Sequence, residues 1–412
     1  MGTLASSTLV AACIGWLALA GDGPVREPSS APPPFVLPAD HASTASVGHP
    51  FSGSLRDGVR LPVSSQWHEA QPSTRLRDWM YGTGYLVRGV LRVAEAVGRA
   101  LPGGQTLAVG NLSRHGGGDI KLSVSHNTGR DVDFPYYTAT LDGESVVSRY
   151  HRFGPDGRSR SAPGLFKLDL PRNWELVKAI MLSNEFEVQW IIVDPHIERL
   201  LLDYARMANE PEELRQRAAR MLTLPGYAKA HDNHIHVRVL CSPADWRATC
   251  LNAGPVWPWS ARMQEAFDVV RREVAPRLAS SDPAARIEAL RQLAHQHVDG
   301  AVTDVAPLLS DADAAVRKEA LGTLLALATE ATAPTLLKIS RWCDPTAAAA
   351  LVERALELAG PDGLPTAQEV MAGAHPVMEA SIPRDRLESV VGAARRLIHQ
   401  LGGAPARLAP GP

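Results

Sequence analysis

From about residue 55 onward the chain alternates between two apolar rhythms. Across 85–97, apolar side chains recur at three- and four-residue spacing and stop before Pro102-Gly103-Gly104, which predicts a helix. The same spacing predicts helices over 171–182, 196–208 and 211–222, the last with Pro211 in its first turn, where a missing N–H costs no hydrogen bond. Shorter apolar runs over 107–110, 188–193 and 235–240 predict strands. Short strands mixed with helices, without regular βαβ alternation, predict an α+β fold: a small antiparallel sheet with flanking helices.

Past Trp257-Pro258-Trp259 the pattern becomes Ala- and Leu-rich helix. Asp282, Asp313 and Asp344 recur every 31 residues, each near the start of a helical stretch. Arg286 and Arg317 keep that spacing, as do Leu290 and Leu321, and the segments 282–290 and 313–321 align without gaps. This resembles short HEAT-type repeats, in which Asp caps a helix whose apolar face stacks on the next repeat. An irregular helical bundle is the alternative, and either way the region is all-α.

At 412 residues the chain is long enough for roughly two to three domains. A formal charge of -2, with both signs interspersed, gives no footprint for nucleic acid or an anionic membrane surface. The apolar stretch 8–20 is short for a bilayer span and ends Ala18-Leu19-Ala20 before Gly21, which reads as a cleavable export signal. Cys13 after Val10-Ala11-Ala12 offers the alternative of a lipidated N-terminus. Residues 21–50 are dominated by Pro, Ala, Ser and Gly and read as a tether. Beyond Cys13 the cysteines are Cys241, Cys250 and Cys343. Cys241 and Cys250 stand 9 apart across a turn-rich segment, within disulfide reach in an oxidising compartment; two separate thiols is the alternative. Neither belongs to a Cys-x-x-Cys pair, so neither reads as a zinc ligand.

The chemistry concentrates in 125–134 and 231–238. Side chains of a strand alternate between faces, so His234, His236 and Arg238 share one face and Ile235, Val237 and Val239 the other. The apolar face packs inward and the basic face looks into a cleft. The same alternation brings Asp131 and Asp133 together, with His126 on the turn before them. One carboxylate and two imidazoles are the donor set of a hydrolytic zinc site: three protein ligands, an open position for water and a base beside it. Two imidazoles two residues apart do not easily share one ion, so one of the His-x-His pair binds metal and its neighbour reaches the water.

The motif Ser125-His126-x-x-Gly129-Arg130-Asp131-Val132-Asp133, followed by His231-Asp232-x-His234-x-His236-Val237-Arg238 and then Cys241 and Cys250, is similar to the penicillin-insensitive murein endopeptidases. These belong to a wider metallopeptidase group that includes lysostaphin-type enzymes and D-alanyl-D-alanine peptidases. The resemblance spans about residues 55–255. It implies His126, Asp133 and His236 as zinc ligands, His234 as general base or transition-state stabiliser, and His231 as an auxiliary catalytic histidine. It also implies cleavage of D-alanyl-meso-diaminopimelyl cross-links of peptidoglycan, in the periplasm. Where that family carries another histidine, three residues before the first ligand, Ser123 stands, so one zinc per chain is expected. A metallo-carboxypeptidase on wall peptides and a non-catalytic wall-binding scaffold are the competing readings. Asp131 reads as a residue orienting a ligand histidine or capping the turn, and Arg238 as a contact for a substrate carboxylate or a structural ion pair. His115 and His151 read as solvated, and Trp257 and Trp259 as a core plug. The expected division is a signal over 1–20, a tether over 21–50, a metallopeptidase domain over 51–258, helical repeats over 259–375 offering a surface to a protein partner, and a final helix and tail over 376–412.

Overall fold

In a computed structural model the chain is described over residues 43–401, apart from Leu122, Ala162, Pro163, Tyr227 and Ala380. The expected export signal, Cys13, most of the tether and the end of the tail lie outside the described residues. The architecture is mixed: several small sheets and many helices.

A four-stranded sheet runs in the order Leu222–Thr223, Val188–Ile192, His234–Val239, Asp131–Pro135. The three longer strands are antiparallel neighbours, but Leu222–Thr223 lies parallel to Val188–Ile192. The sheet is therefore mixed, not wholly antiparallel. The helices Pro195–Met207 and Glu212–Met221 intervene between those two strands, and a crossover of that length returns the chain in the same direction. Pro211 sits one position earlier than expected, as the cap residue of the second helix.

One face of His234–Val239 carries Ile235, Val237 and Val239, all fully buried. They join a cluster completed by helix Gly84–Ala100, whose stripe of Leu86, Val87, Val90, Leu91, Ala94 and Val97 is buried, and by helix Leu170–Met181. Each buried Val, Leu or Ile among them contributes about 1.5–3 kcal/mol by leaving water. Thr83 caps the first helix by accepting from the Leu86 N–H, and Asp169 caps the second by accepting from Arg172 N–H. Gly89 lets the helix approach closely, since a Cβ there would stand 2.1 Å from the Phe186 ring.

Residues assigned by composition to the tether's end are part of the fold. Ala45–Val47 pairs with Ser54–Arg56, and Ser46 takes its place beside a buried charge. Arg130 is fully buried, and its guanidinium donates to Ser46 Oγ (3.0 Å), Val239 O (2.9 Å) and Leu251 O (2.9 Å). A buried cation must find such acceptors, so this requirement draws the N-terminal strand in.

Cys241 and Cys250 form a disulfide, with Cα atoms 6.1 Å apart. With Trp246 they pack into a second hydrophobic cluster, made mainly by the helices from Ala261–Leu278 to Arg384–Gln400. In that region Asp282, Asp313 and Asp344 each cap a helix, accepting from Ala284, Ala315 and Thr346 N–H at 2.9, 2.7 and 3.0 Å. Arg286 and Arg317 also do equivalent work, each clamping the carbonyl six residues earlier, Ser280 O at 2.6 Å and Asp311 O at 2.7 Å. Among the described residues no helix is long and apolar enough to cross a membrane.

Candidate metal centre

Strand register builds the site. His236 lies opposite Asp133, and Arg238 opposite Asp131, so cross-strand neighbours on the polar face are complementary pairs. The third member comes from the turn before. His126 has a φ of 72°, in the left-handed region that non-glycine residues rarely occupy. Such strain persists only where surroundings enforce it. Here the Gly118 N–H donates to Asn127 O (3.0 Å), Thr83 N–H donates to Gly129 O (2.9 Å), and Asn127 Nδ2 donates to Asp119 (2.8 Å). Gly129 itself has a φ of 69° and abuts Leu55, where a Cβ would stand 2.7 Å from that side chain.

Three imidazoles converge on one carboxylate oxygen. Asp133 Oδ1 lies 3.3 Å from His126 Nε2, 3.1 Å from His236 Nδ1 and 3.4 Å from His234 Nε2. Its other oxygen accepts from Asn111 Nδ2 at 3.0 Å. Burial alone would raise the Asp133 pKa, but the facing His126 and His234 outweigh it and hold the carboxyl well below its usual range. His236 is fixed from behind: its Nε2–H donates to Asp131 Oδ1 at 2.9 Å, leaving Nδ1 for the cluster. Burial opposes its proton, yet hydrogen bonds to Asp131 and Asp133 hold the pKa up at about 9. Asp131 is fully buried and also accepts from Arg238 Nε at 2.8 Å; burial would raise its pKa, and Arg238 outweighs that, keeping it ionised.

His234 differs from its strand neighbour. Its Nδ1–H donates to Asn233 Oδ1 at 2.5 Å, so Nε2 is the nitrogen turned toward Asp133 and the cleft. Tyr150 packs against it edge-on, ring centroids 5.6 Å apart. His231 donates from Nδ1 to Lys229 O at 2.6 Å, with its ring 4.8 Å from that of His234. Burial, then His234 and His236, push His231 down to about 4, so it is neutral near pH 7.

The residues fit a metal ion. His126 is completely buried, and neither of its ring nitrogens has a hydrogen-bond partner, although Nε2 stands 3.3 Å from Asp133. A buried polar atom left unmet costs about 1–3 kcal/mol, so a ligand is called for. His126, Asp133 and His236 bring their donor atoms within 4.8 Å of one another, and two imidazoles with a carboxylate suit zinc. His231, His234 and His236 form a second such trio, sharing His236. The His-x-His pair therefore reaches one place despite its spacing, because His236 presents its near nitrogen and His234 its far one.

His126, Asp133, His231, His234 and His236, the residues expected as ligands or catalytic groups, all line one cleft of ≈ 500 Å³, with Asp131 behind it. Asn111, Asn233 and Tyr150 line it too and were not anticipated. Asn233 stands inside the second motif and could have been read as the partner of His234; Asn111 and Tyr150 carry no local signal. His115 is exposed against Tyr81 and His151 packs on Phe166, so neither joins the cluster. Trp257 and Trp259 stack at 5.2 Å, and Trp257 donates to Gln189 O, away from the cleft.

The family model described as penicillin-insensitive murein endopeptidase matches residues 46–258, a span containing the sheet, the strained turn, both motifs and the disulfide. No curated protein matches the chain.

Proposed function

The chain belongs to the penicillin-insensitive murein endopeptidase family, and we propose on that basis that it is a zinc-dependent hydrolase of D-alanyl-meso-diaminopimelyl cross-links in peptidoglycan. The observation that carries this reading is the fully buried, unpartnered His126 facing Asp133 and His236 at the floor of an open cleft. His126 Nε2, Asp133 Oδ1 and His236 Nδ1 are the atoms that would hold the ion. When bound, zinc supplies Lewis acidity toward the scissile carbonyl and the attacking water.

The chain's own residues supply the proton traffic. Asn233 fixes the His234 tautomer, so Nε2 accepts a proton from water and returns it to the leaving amine. His231, neutral near pH 7, lines the cleft beside it as an auxiliary base or hydrogen-bond partner. Asp131 and Arg238 act from behind, keeping His236 in the orientation that presents Nδ1. Ser73, Ser123 and Ser125 line the cleft, but among the described residues none hydrogen-bonds to a histidine, as an acylated serine nucleophile needs. Hydrolysis without an acyl-serine accounts for indifference to β-lactams.

Such an enzyme works outside the cytoplasm, at the wall. The helices after residue 260 are proposed to be HEAT-like and to dock a protein partner, since their recurrent Asp and Arg are committed to caps and turns. The test is incubation of the purified full-length chain with cross-linked muropeptide dimers. Expected are monomers, loss of cleavage with a chelator, recovery on adding zinc, and no effect of a β-lactam. Release of terminal D-alanine without dimer cleavage would favour the carboxypeptidase instead, and no cleavage by zinc-loaded protein would favour the scaffold.

A further inference from the structure

The cleft is lined by four cations, Arg77, Lys121, Lys229 and Arg238, against one carboxylate, Asp133, which is engaged by three imidazoles. The whole chain carries a formal charge of -2, so the excess is local. Arg77, Lys121 and Lys229 are exposed at the rim, and among the described residues none of them makes an ion pair. The Arg77 guanidinium lies over the Trp79 ring, 5.1 Å from its centroid, a contact that leaves its charge uncancelled by any carboxylate. Deeper in, Arg238 is only 1% exposed, with Nε committed to Asp131. Its Nη1 is buried without a hydrogen-bond partner, and its guanidinium sits 5.0 Å from the Phe51 ring, which also lines the cleft. A buried cationic N–H lacking an acceptor is costly, and the cleft is where an acceptor can enter.

We propose that the cleft is a receptor for a free carboxylate on the carbon that bears the scissile nitrogen, with Arg77, Lys121 and Lys229 as its specificity-determining residues. The inference rests on the reading of the site as a peptidoglycan cross-link hydrolase. In a D-alanyl-meso-diaminopimelyl link, the carbon carrying the acylated nitrogen keeps its own carboxyl group. Converting that carboxyl to a carboxamide leaves the bond and shape almost unchanged. It removes the charge and replaces one of the two acceptor oxygens with an NH2 donor, the kind of mismatch by which a cationic rim rejects a near-isostere. The rim thus separates unamidated from amidated cross-links without touching the hydrolytic groups.

The experiment uses the zinc-loaded full-length chain and two synthetic cross-linked peptide dimers that differ only in whether this carboxyl is free or amidated. The expected kcat/KM is about tenfold or more higher for the free acid, carried mostly by KM and shrinking as salt screens the rim. The combined variant Arg77→Gln, Lys121→Gln, Lys229→Gln brings the two substrates to within about twofold while keeping the rate on the amide and the thermal midpoint. Equal kcat/KM for the two dimers with the unaltered chain, or a full preference retained by the triple variant, overturns the inference and leaves the hydrolase reading standing. Failure to cleave either dimer overturns that reading and the inference together.

Discussion

The paired strands Asp131–Pro135 and His234–Val239 and the helices beyond Ala261 both bury polar groups, but they treat them differently. Among the helices, Asp282, Asp313 and Asp344 close caps, Arg286 meets Asp311 at 2.8 Å, and Thr323 donates to Leu290 O. Among the described residues that region leaves only Arg286 Nε and His375 Nε2 buried without partners. Around the cleft, both nitrogens of His126, Asp131 Oδ2, Tyr150 Oη and Arg238 Nη1 are buried and unmet. A polar residue whose bonds close within the chain reports on the fold. Single open bonds are scattered elsewhere, as at Trp67 and Asn252, but around the cleft five such atoms gather in one place, where a ligand can meet them.

Removing a group from the unmet set breaks the comparison most severely. His126→Ala and Asp133→Ala are each expected to lower zinc content from one per chain to near zero and hydrolysis to background, read by elemental analysis and muropeptide chromatography. His234→Ala should keep its zinc and lose about 10²–10⁴-fold in kcat, since only the proton relay is gone. Asp131→Asn weakens the support behind His236, and zinc affinity should drop about 10–100-fold by competition with a chelator.

A pH series sharpens the point. In the metal-free chain His236 holds its proton up to about 9, and a ligand must shed it. Apparent zinc affinity should therefore climb by about tenfold per pH unit from 7 toward 9 and then level, with one proton released per ion near neutrality. The smallest effect belongs to the helical side. Asp313→Ala removes a cap and should cost about 1 kcal/mol of stability by denaturation, with kcat/KM unchanged. A kinetic effect there would mean that the helices help to build the site.

Much of this contrast was legible in the sequence because it rests on local rules. Period-two alternation placed His236 and Arg238 on one face, and the 31-residue recurrence of Asp marked the caps. What was not legible depends on distant contacts. Asn111 supports Asp133 from 22 residues away, and Ser46 was lost to a Pro-rich neighbourhood although Arg130, 84 residues on, requires it. The parallel edge strand Leu222–Thr223 is too short to leave a periodic signal. The expected boundary at 258 is blurred for a related reason. Trp246 and Cys250 precede it in sequence but pack with the helices that follow, and apolar residues do not announce which side they will join.

The central claim, that His126, Asp133 and His236 are the ligands of a single zinc ion, is tested most directly by anomalous diffraction at the zinc edge from crystals of the zinc-loaded chain. The account expects one strong peak at ~2.0–2.2 Å from His126 Nε2, an Asp133 oxygen and His236 Nδ1, with an open position toward the cleft. A peak seated instead among His231, His234 and His236 with His126 left unbound, or no peak at the cleft at all, would contradict it.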